Sequence, residues 1–351
     1  MKRTLAILLA FVLTLGLALS LAACGEQGES GGGDEVIEWK MGSAGADPAV
    51  SLLSSYSEFM TKFVELVKER SGGRLIITPY YNSILGGDVQ MMNDCRDGNL
   101  EVYRGNPLSG IDPRFGFKAQ PYLFQDYEQV EELMCSPDGG LFLMMKDILK
   151  DHNCELVGMG HGTFRGLVNT KHPVKTVGDV KDLTVRIYED PTVNAFWTPL
   201  CNAVPLPWND LYTALQTGVV DGAEMASNIV ISSRNDEVVK YFSEIQWQWM
   251  GSFTIINADA FNALPDDLKE IVVDCSWEAG QYENEMETKY RAEAHQMLKD
   301  RGVEVYMPTE EEMGTWRDYA ASIGPKIREI VGEETYDKAM GIVEESNAKR
   351  N

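Results

Sequence analysis

The stretch Ala203-Val204-Pro205-Leu206-Pro207-Trp208-Asn209-Asp210-Leu211-Tyr212-Thr213-Ala214-Leu215-Gln216-Thr217-Gly218-Val219-Val220-Asp221-Gly222-Ala223-Glu224 reads as a strand over 203–206, a helix over 209–216 and a strand over 219–223. Such a β-α-β unit needs a crossover helix to bring its second strand back parallel to the first. Immediately upstream the same rhythm gives a strand over 183–187 and a helix over 193–200. Repetition of the unit predicts an α/β architecture with a mainly parallel sheet.

The rhythm continues toward the N-terminus. Ile37, Trp39 and Met41 alternate with polar residues, as in a half-buried strand. From 51 to 70 apolar residues recur at helical spacing, and Gly72-Gly73 stops the helix. Strands follow over 75–80, 100–103 and 154–159, with helices over 88–96 and 140–151. One segment departs from this pattern: 266–300 holds 35 residues without proline. As a continuous helix it would be ~50 Å long and would have to lie across two domains. Two helices broken near Gly280 are the other reading.

The chain has 351 residues, 44% of them apolar and 24% charged, which excludes collagenous, low-complexity and wholly disordered classes. The length suits two domains. A net charge of -23 makes nucleic acid a poor partner, because such a surface repels phosphate backbones. An acidic ligand would need a few well-placed cations inside a pocket.

Lys2 and Arg3 precede an uncharged, mostly apolar run ending Leu21-Ala22-Ala23-Cys24, the form of a secretory leader. The run is also about long enough to act as an uncleaved anchor. Leu-Ala-Ala-Cys resembles the lipobox of bacterial lipoproteins, which implies a signal peptide over 1–23, acylation of Cys24 and a lipid-anchored chain. The glycine-rich segment over 24–35 reads as a flexible tether.

Catalytic motifs are hard to find. The sequence has no phosphate-binding GxxxxGK[ST] loop and no HExxH or paired CxxC motif. Met41-Gly42-Ser43-Ala44-Gly45 lacks the first glycine of a nucleophile elbow. The four histidines and the five cysteines after Cys24 are scattered, so neither a metal site nor a disulfide framework is expected. An exported two-domain chain of this kind suggests a binding protein with no cofactor rather than an enzyme.

Lys171-His172-Pro173-Val174-Lys175-Thr176-Val177-Gly178-Asp179-Val180-Lys181-Asp182-Leu183-Thr184-Val185-Arg186, together with the opening stretch from Pro205 to Glu224, resembles the core signature of the solute-binding subunits of tripartite ATP-independent periplasmic (TRAP) transporters. Leu85-Gly86-Gly87-Asp88, Gln120-Pro121-Tyr122-Leu123-Phe124 and Gly162-Thr163-Phe164-Arg165-Gly166 extend the resemblance. It implies two α/β lobes of the periplasmic-binding-protein type, joined by a hinge and spanned by a long helix. Lobe I would comprise 36–162 and 251–290, and lobe II 163–250 and 291–351. The expected function is to capture a carboxylate-bearing solute between the lobes and deliver it to membrane permease subunits, the binding protein itself being an extracytoplasmic monomer. A ligand-sensing module for a membrane receptor, or a lipid-anchored enzyme, are the alternatives.

In the family the arginine at the position of Arg186 grips the ligand carboxylate. Its planar fork can make two parallel bonds that a lysine cannot. Arg165 falls where a second ligand-facing arginine often stands, or where an ion pair would cross the hinge. Trp208 is a pocket wall or a core residue, and Asn106 matches a polar contact position in the first lobe. Tyr188 would share the strand face of Arg186. Met225 replaces an asparagine usual in the family, followed by Ala226, Ser227 and Asn228. Because methionine donates no hydrogen bond, Met225, Trp208 and Tyr188 together favour a ligand with one carboxylate and an apolar or aromatic body.

Overall fold

The computed structural model describes residues 36–106 and 109–350, so the leader, Cys24 and the tether lie outside the described residues. Its strands are β1 (Ile37–Gly42), β2 (Leu75–Tyr80), β3 (Val102–Gly105), β4 (Cys154–Asn169), β5 (Thr184–Ile187), β6 (Asn202–Pro205), β7 (Gly222–Met225), β8 (Tyr241–Asn257) and β9 (Glu304–Tyr306). Its helices are α1 (Ser55–Arg70), α2 (Asp88–Arg96), α3 (Tyr127–Leu133), α4 (Gly140–Lys150), α5 (Pro191–Trp197), α6 (Leu211–Thr217), α7 (Ser227–Ser232), α8 (Ala258–Asn262), α9 (Asp266–Asp300), α10 (Glu310–Val331) and α11 (Glu333–Arg350). The strands form one sheet in the order β2-β1-β3-β8-β4-β7-β5-β6, with β9 also paired to β8.

The sheet is mixed, which corrects the expectation of a mainly parallel one. Parallel pairs occur within each half, β1 with β2 and β3, and β5 with β6 and β7. The halves are joined by β4 and β8, which run antiparallel along their whole length from Cys154↔Asn257 to Asn169↔Tyr241. The end of β8 carries β3 and thereby lobe I; the end of β4 carries β7 and thereby lobe II. The architecture is therefore two-lobed, with both central strands shared.

The expected strand over 154–159 continues to Asn169 and is buried throughout except for Glu155. Buried on both faces, it lacks the alternation that marks half-exposed strands. Its glycines read as breaks but serve close packing. An ideal Cβ on Gly162 (φ +58°) would lie 1.9 Å from the Met250 carbonyl oxygen, and the register shifts between Gly160 and Thr163. The helix expected from 51 begins instead at Ser55, because Leu53 takes a left-handed φ of +54° that helical backbone cannot accommodate.

Helix α9 is continuous through Gly280, so the two-helix alternative does not hold. It packs against α1 and β4 and, further along, against α7 and β9, crossing both lobes. At Gly280 the helix lies close on β4: a Cβ there would stand 2.3 Å from the Met159 carbonyl oxygen. Phe59, Phe63 and Ile256 build one apolar core of lobe I against Leu268 and Val272 of α9. Trp197, Trp247 and Trp316 centre a core of lobe II. Helix α10 begins in that core with Trp316 and ends with Ile327 and Val331 in the core of α4, where Ala339 and Val343 of α11 also pack.

Candidate functional site

Between the lobes lies a cavity of about 160 Å³. Arg186, Arg165, Trp208, Asn106, Met225, Tyr188 and Asn228 all line it, so the seven residues singled out in the sequence are brought together. Lobe I adds the loop after β1, the first turn of α1 and Asp88 at the start of α2.

The strand topology explains how Arg186 reaches the cavity. It is the third residue of the four-residue β5, held between Val204 of β6 and Ala223 of β7. The residue is 3% exposed. Nε donates to the Leu206 carbonyl at 2.9 Å, which fixes the plane of the guanidinium. Among the described residues the terminal nitrogens have no hydrogen-bond partner: Nη1 lies 3.6 Å from Glu224 Oε1, beyond bonding range. Burial lowers its pKa to about 10, opposed by Glu224, so the group stays charged at neutral pH. A buried cation with an open donor edge is arranged to receive an anion.

Arg165 is placed differently. Nη1 donates to the Glu224 carboxylate and, at 3.1 Å, to the Glu224 carbonyl, and the guanidinium lies 4.9 Å from the Tyr188 ring centre. Its charge is matched within the protein, while Nε has no partner among the described residues. Tyr188 is in turn fixed by Gln248, whose Nε2 donates to the hydroxyl at 2.8 Å. Trp208 stands at a 3₁₀ turn with its ring centre 5.6 Å from the Arg186 guanidinium carbon. Met225 is fully buried on β7.

Glu224 was not singled out in the sequence, although it ends the opening stretch. It is fully buried between the two arginines, and burial raises its pKa while Arg165 and Arg186 oppose the rise. Asp88 was likewise missed. The signal for both was their presence within motif stretches; what was lacking was any sign that β7 and α2 face one cavity.

A second polar layer lies beneath the cavity on α9. Glu287 Oε2 accepts from Ser55 at 2.6 Å and from Asn228 Nδ2 at 2.9 Å, tying the start of α1 to α7. One turn earlier Glu283 accepts from Arg104, which also donates to the Ser252 carbonyl at 2.8 Å and to Thr254 Oγ1 at 3.0 Å. Arg104 is wholly buried, so this arginine beside Asn106 is structural. Burial lifts the Glu283 pKa to about 7 despite Arg104. Among the described residues no His/Cys/Asp/Glu cluster could hold a metal, and no helix is long and apolar enough to cross a membrane.

A family profile described as bacterial extracellular solute-binding protein, family 7 (DctP), matches residues 49–329. The 2,3-diketo-L-gulonate-binding periplasmic protein of Escherichia coli (strain K12) is 26% identical over 272 residues, which covers 77% of this chain and 80% of its own. A TRAP periplasmic solute-binding protein from Ochrobactrum anthropi, solved with its C-terminus bound in the ligand-binding pocket, superposes with a TM-score of 0.77. It is 28% identical and covers 90% of this chain and 97% of its own. The sugar acid binding protein of Advenella mimigardefordensis in complex with galactonate gives a TM-score of 0.82 over 89% of this chain and 99% of its own. At 22% identity that is a likeness of fold.

Proposed function

Because the chain belongs to bacterial extracellular solute-binding protein family 7, the extracytoplasmic solute-binding subunits of TRAP transporters, we propose that its cavity captures an organic acid through Arg186 and presents it to the membrane permease. The observation that carries this reading is the buried Arg186 guanidinium, oriented through Nε and open at its terminal nitrogens. A ligand carboxylate can accept two parallel hydrogen bonds from that edge. Arg165 holds the field in place through Glu224 and stacks on Tyr188, supplementing the grip. Asn106 and Asn228 offer polar contacts from opposite walls, and Trp208, Met225 and Tyr188 enclose an apolar or aromatic body. The relatives named above bind a diketo sugar acid and galactonate by their descriptions, which supports a carboxylate at this site.

Cys24 is the acylated N-terminus after removal of 1–23, anchoring a monomer by 24–35. Lobe I comprises 36–162 and 251–290 and lobe II 163–250 and 291–351, with the end of α10 and α11 packed back on lobe I. The lobes close about β4, β8 and α9 when ligand touches both. The direct test is mass spectrometry of solutes retained by the purified protein from a mixture of organic acids, followed by titration of each retained acid and its methyl ester. An ester that binds as tightly as its acid would refute carboxylate recognition.

A further inference from the structure

Asp88 and the guanidiniums of Arg165 and Arg186 line the cavity before any ligand enters, and Glu224 is buried against the two arginines. Glu224 is engaged by Arg165 and lies near Arg186. Asp88 is the unmatched member. Oδ1 accepts from the Tyr103 hydroxyl at 2.8 Å, and no lysine, arginine or histidine nitrogen lies within 4.0 Å of it among the described residues. Arg186 and Arg165 act on it only across the open space, while burial raises its pKa. An acid at the first position of a helix commonly faces water and the helix dipole. Asp88 instead forms part of the cavity wall.

The side-chain amide oxygens of Asn106 and Asn228 are buried without donors among the described residues. The cavity thus offers hydrogen-bond donors at Arg186 and Arg165 Nε, and unfilled acceptors at Asn106 and Asn228. With Asp88 ionised, a ligand carboxylate alone would leave the group of Arg165, Arg186, Glu224 and Asp88 with one negative charge in excess, which is costly away from water. An ammonium supplies the missing charge and up to three donors.

We infer that the solute is a zwitterion, an amino acid or close analogue, whose carboxylate is held by Arg186 and whose ammonium is received by Asp88. This deepens the organic-acid reading and rests on it. Hydroxylated acids would satisfy the acceptors but leave the excess charge, so they should bind less tightly than an amino acid of the same skeleton.

The test uses the purified protein and an equimolar mixture of the twenty proteinogenic amino acids, their 2-hydroxy analogues, galactonate, glucuronate, succinate and malate. Solutes retained through rapid gel filtration are identified by mass spectrometry and titrated singly. The expected result is retention of an amino acid, with Asp88→Asn weakening its binding at least thirtyfold and Asp88→Glu, which keeps the charge, weakening it less. Circular dichroism establishes that each variant is folded. Retention of nitrogen-free acids alone, or an Asp88→Asn variant within threefold of the parent, overturns the zwitterion assignment and leaves the organic-acid reading standing. Retention of no acid, or retention unchanged by Arg186→Ala, removes the organic-acid reading and this assignment together.

Discussion

Replacing Gly280 with alanine measures how tightly α9 is held against the central strands. In a free helix the change is favourable by about 1 kcal/mol, since glycine loses more backbone freedom on folding. Here the new Cβ would stand 2.3 Å from the Met159 carbonyl oxygen and 3.2 Å from its carbon. Both atoms are backbone, so no side-chain rotation relieves the overlap. Ordinary carbon–oxygen contacts fall at about 3.3 Å, so the helix or β4 must move by about 1 Å. Overpacking of this kind costs about 1–3 kcal/mol, and a backbone obstacle puts it at the upper end. The net expectation is a loss of about 2 kcal/mol after the helical gain is deducted. Gly314 in α10 and Gly341 in α11 are the controls, because a Cβ on either meets nothing within 4 Å. Their alanine variants should each gain up to about 1 kcal/mol. Urea unfolding followed by circular dichroism gives the comparison as shifts in midpoint at constant slope. A Gly280→Ala variant that gains stability as the controls do would refute the close seating of α9 on β4.

The other expectations concern the buried polar layer and the lobes. Arg104→Met strands Glu283 without its partner and should cost about 3–5 kcal/mol at pH 8, measured by the same unfolding curves. Glu283 has its pKa raised from 4.5 to about 7, so the folded state binds the proton more tightly than the unfolded one. The stability this gives is complete below about pH 4.5 and is lost as pH rises through about 7. Unfolding curves across that range should show the parent losing on the order of 3 kcal/mol relative to Glu283→Gln, and parallel profiles would contradict the assignment. Small-angle scattering should show a smaller radius of gyration when a retained solute saturates the protein, and an unchanged profile would argue against closure.

Much of the architecture was legible because the β-α-β units of each lobe are local. Helix α2 and strand β2 span the residues their periodicity indicated, and the proline-free run to Asp300 is one helix. The pair that joins the lobes was not legible to the same degree. Strand β4 is buried on both faces and punctuated by Gly158, Gly160, Gly162 and Gly166, so neither alternation nor composition marked its second half. Strand β8 was not anticipated, although Ile245, Trp247 and Trp249 alternate with Glu244, Gln246 and Gln248 over part of its first half. Its antiparallel pairing with β4 spans more than seventy residues of sequence, which no local pattern encodes. The site divides in the same way. Arg186 and Trp208 stood out through resemblance, and they do share a cavity. Glu224 and Asp88 were hidden among 54 acidic residues, because their significance lies in three-dimensional placement, Glu224 buried against the arginines and Asp88 across the cavity from them, and not in spacing.

Arg186 as the carboxylate receptor is the central claim, and calorimetric titration of the parent, Arg186→Lys and Arg186→Ala with the same retained solute tests it most directly. Loss of a bidentate partner to a buried carboxylate costs about 2–5 kcal/mol, so Arg186→Ala should bind roughly 30- to several-thousand-fold more weakly. Lysine restores the charge without the fork and should recover only part of that loss. A folded Arg186→Ala protein that binds within about threefold of the parent would contradict the assignment.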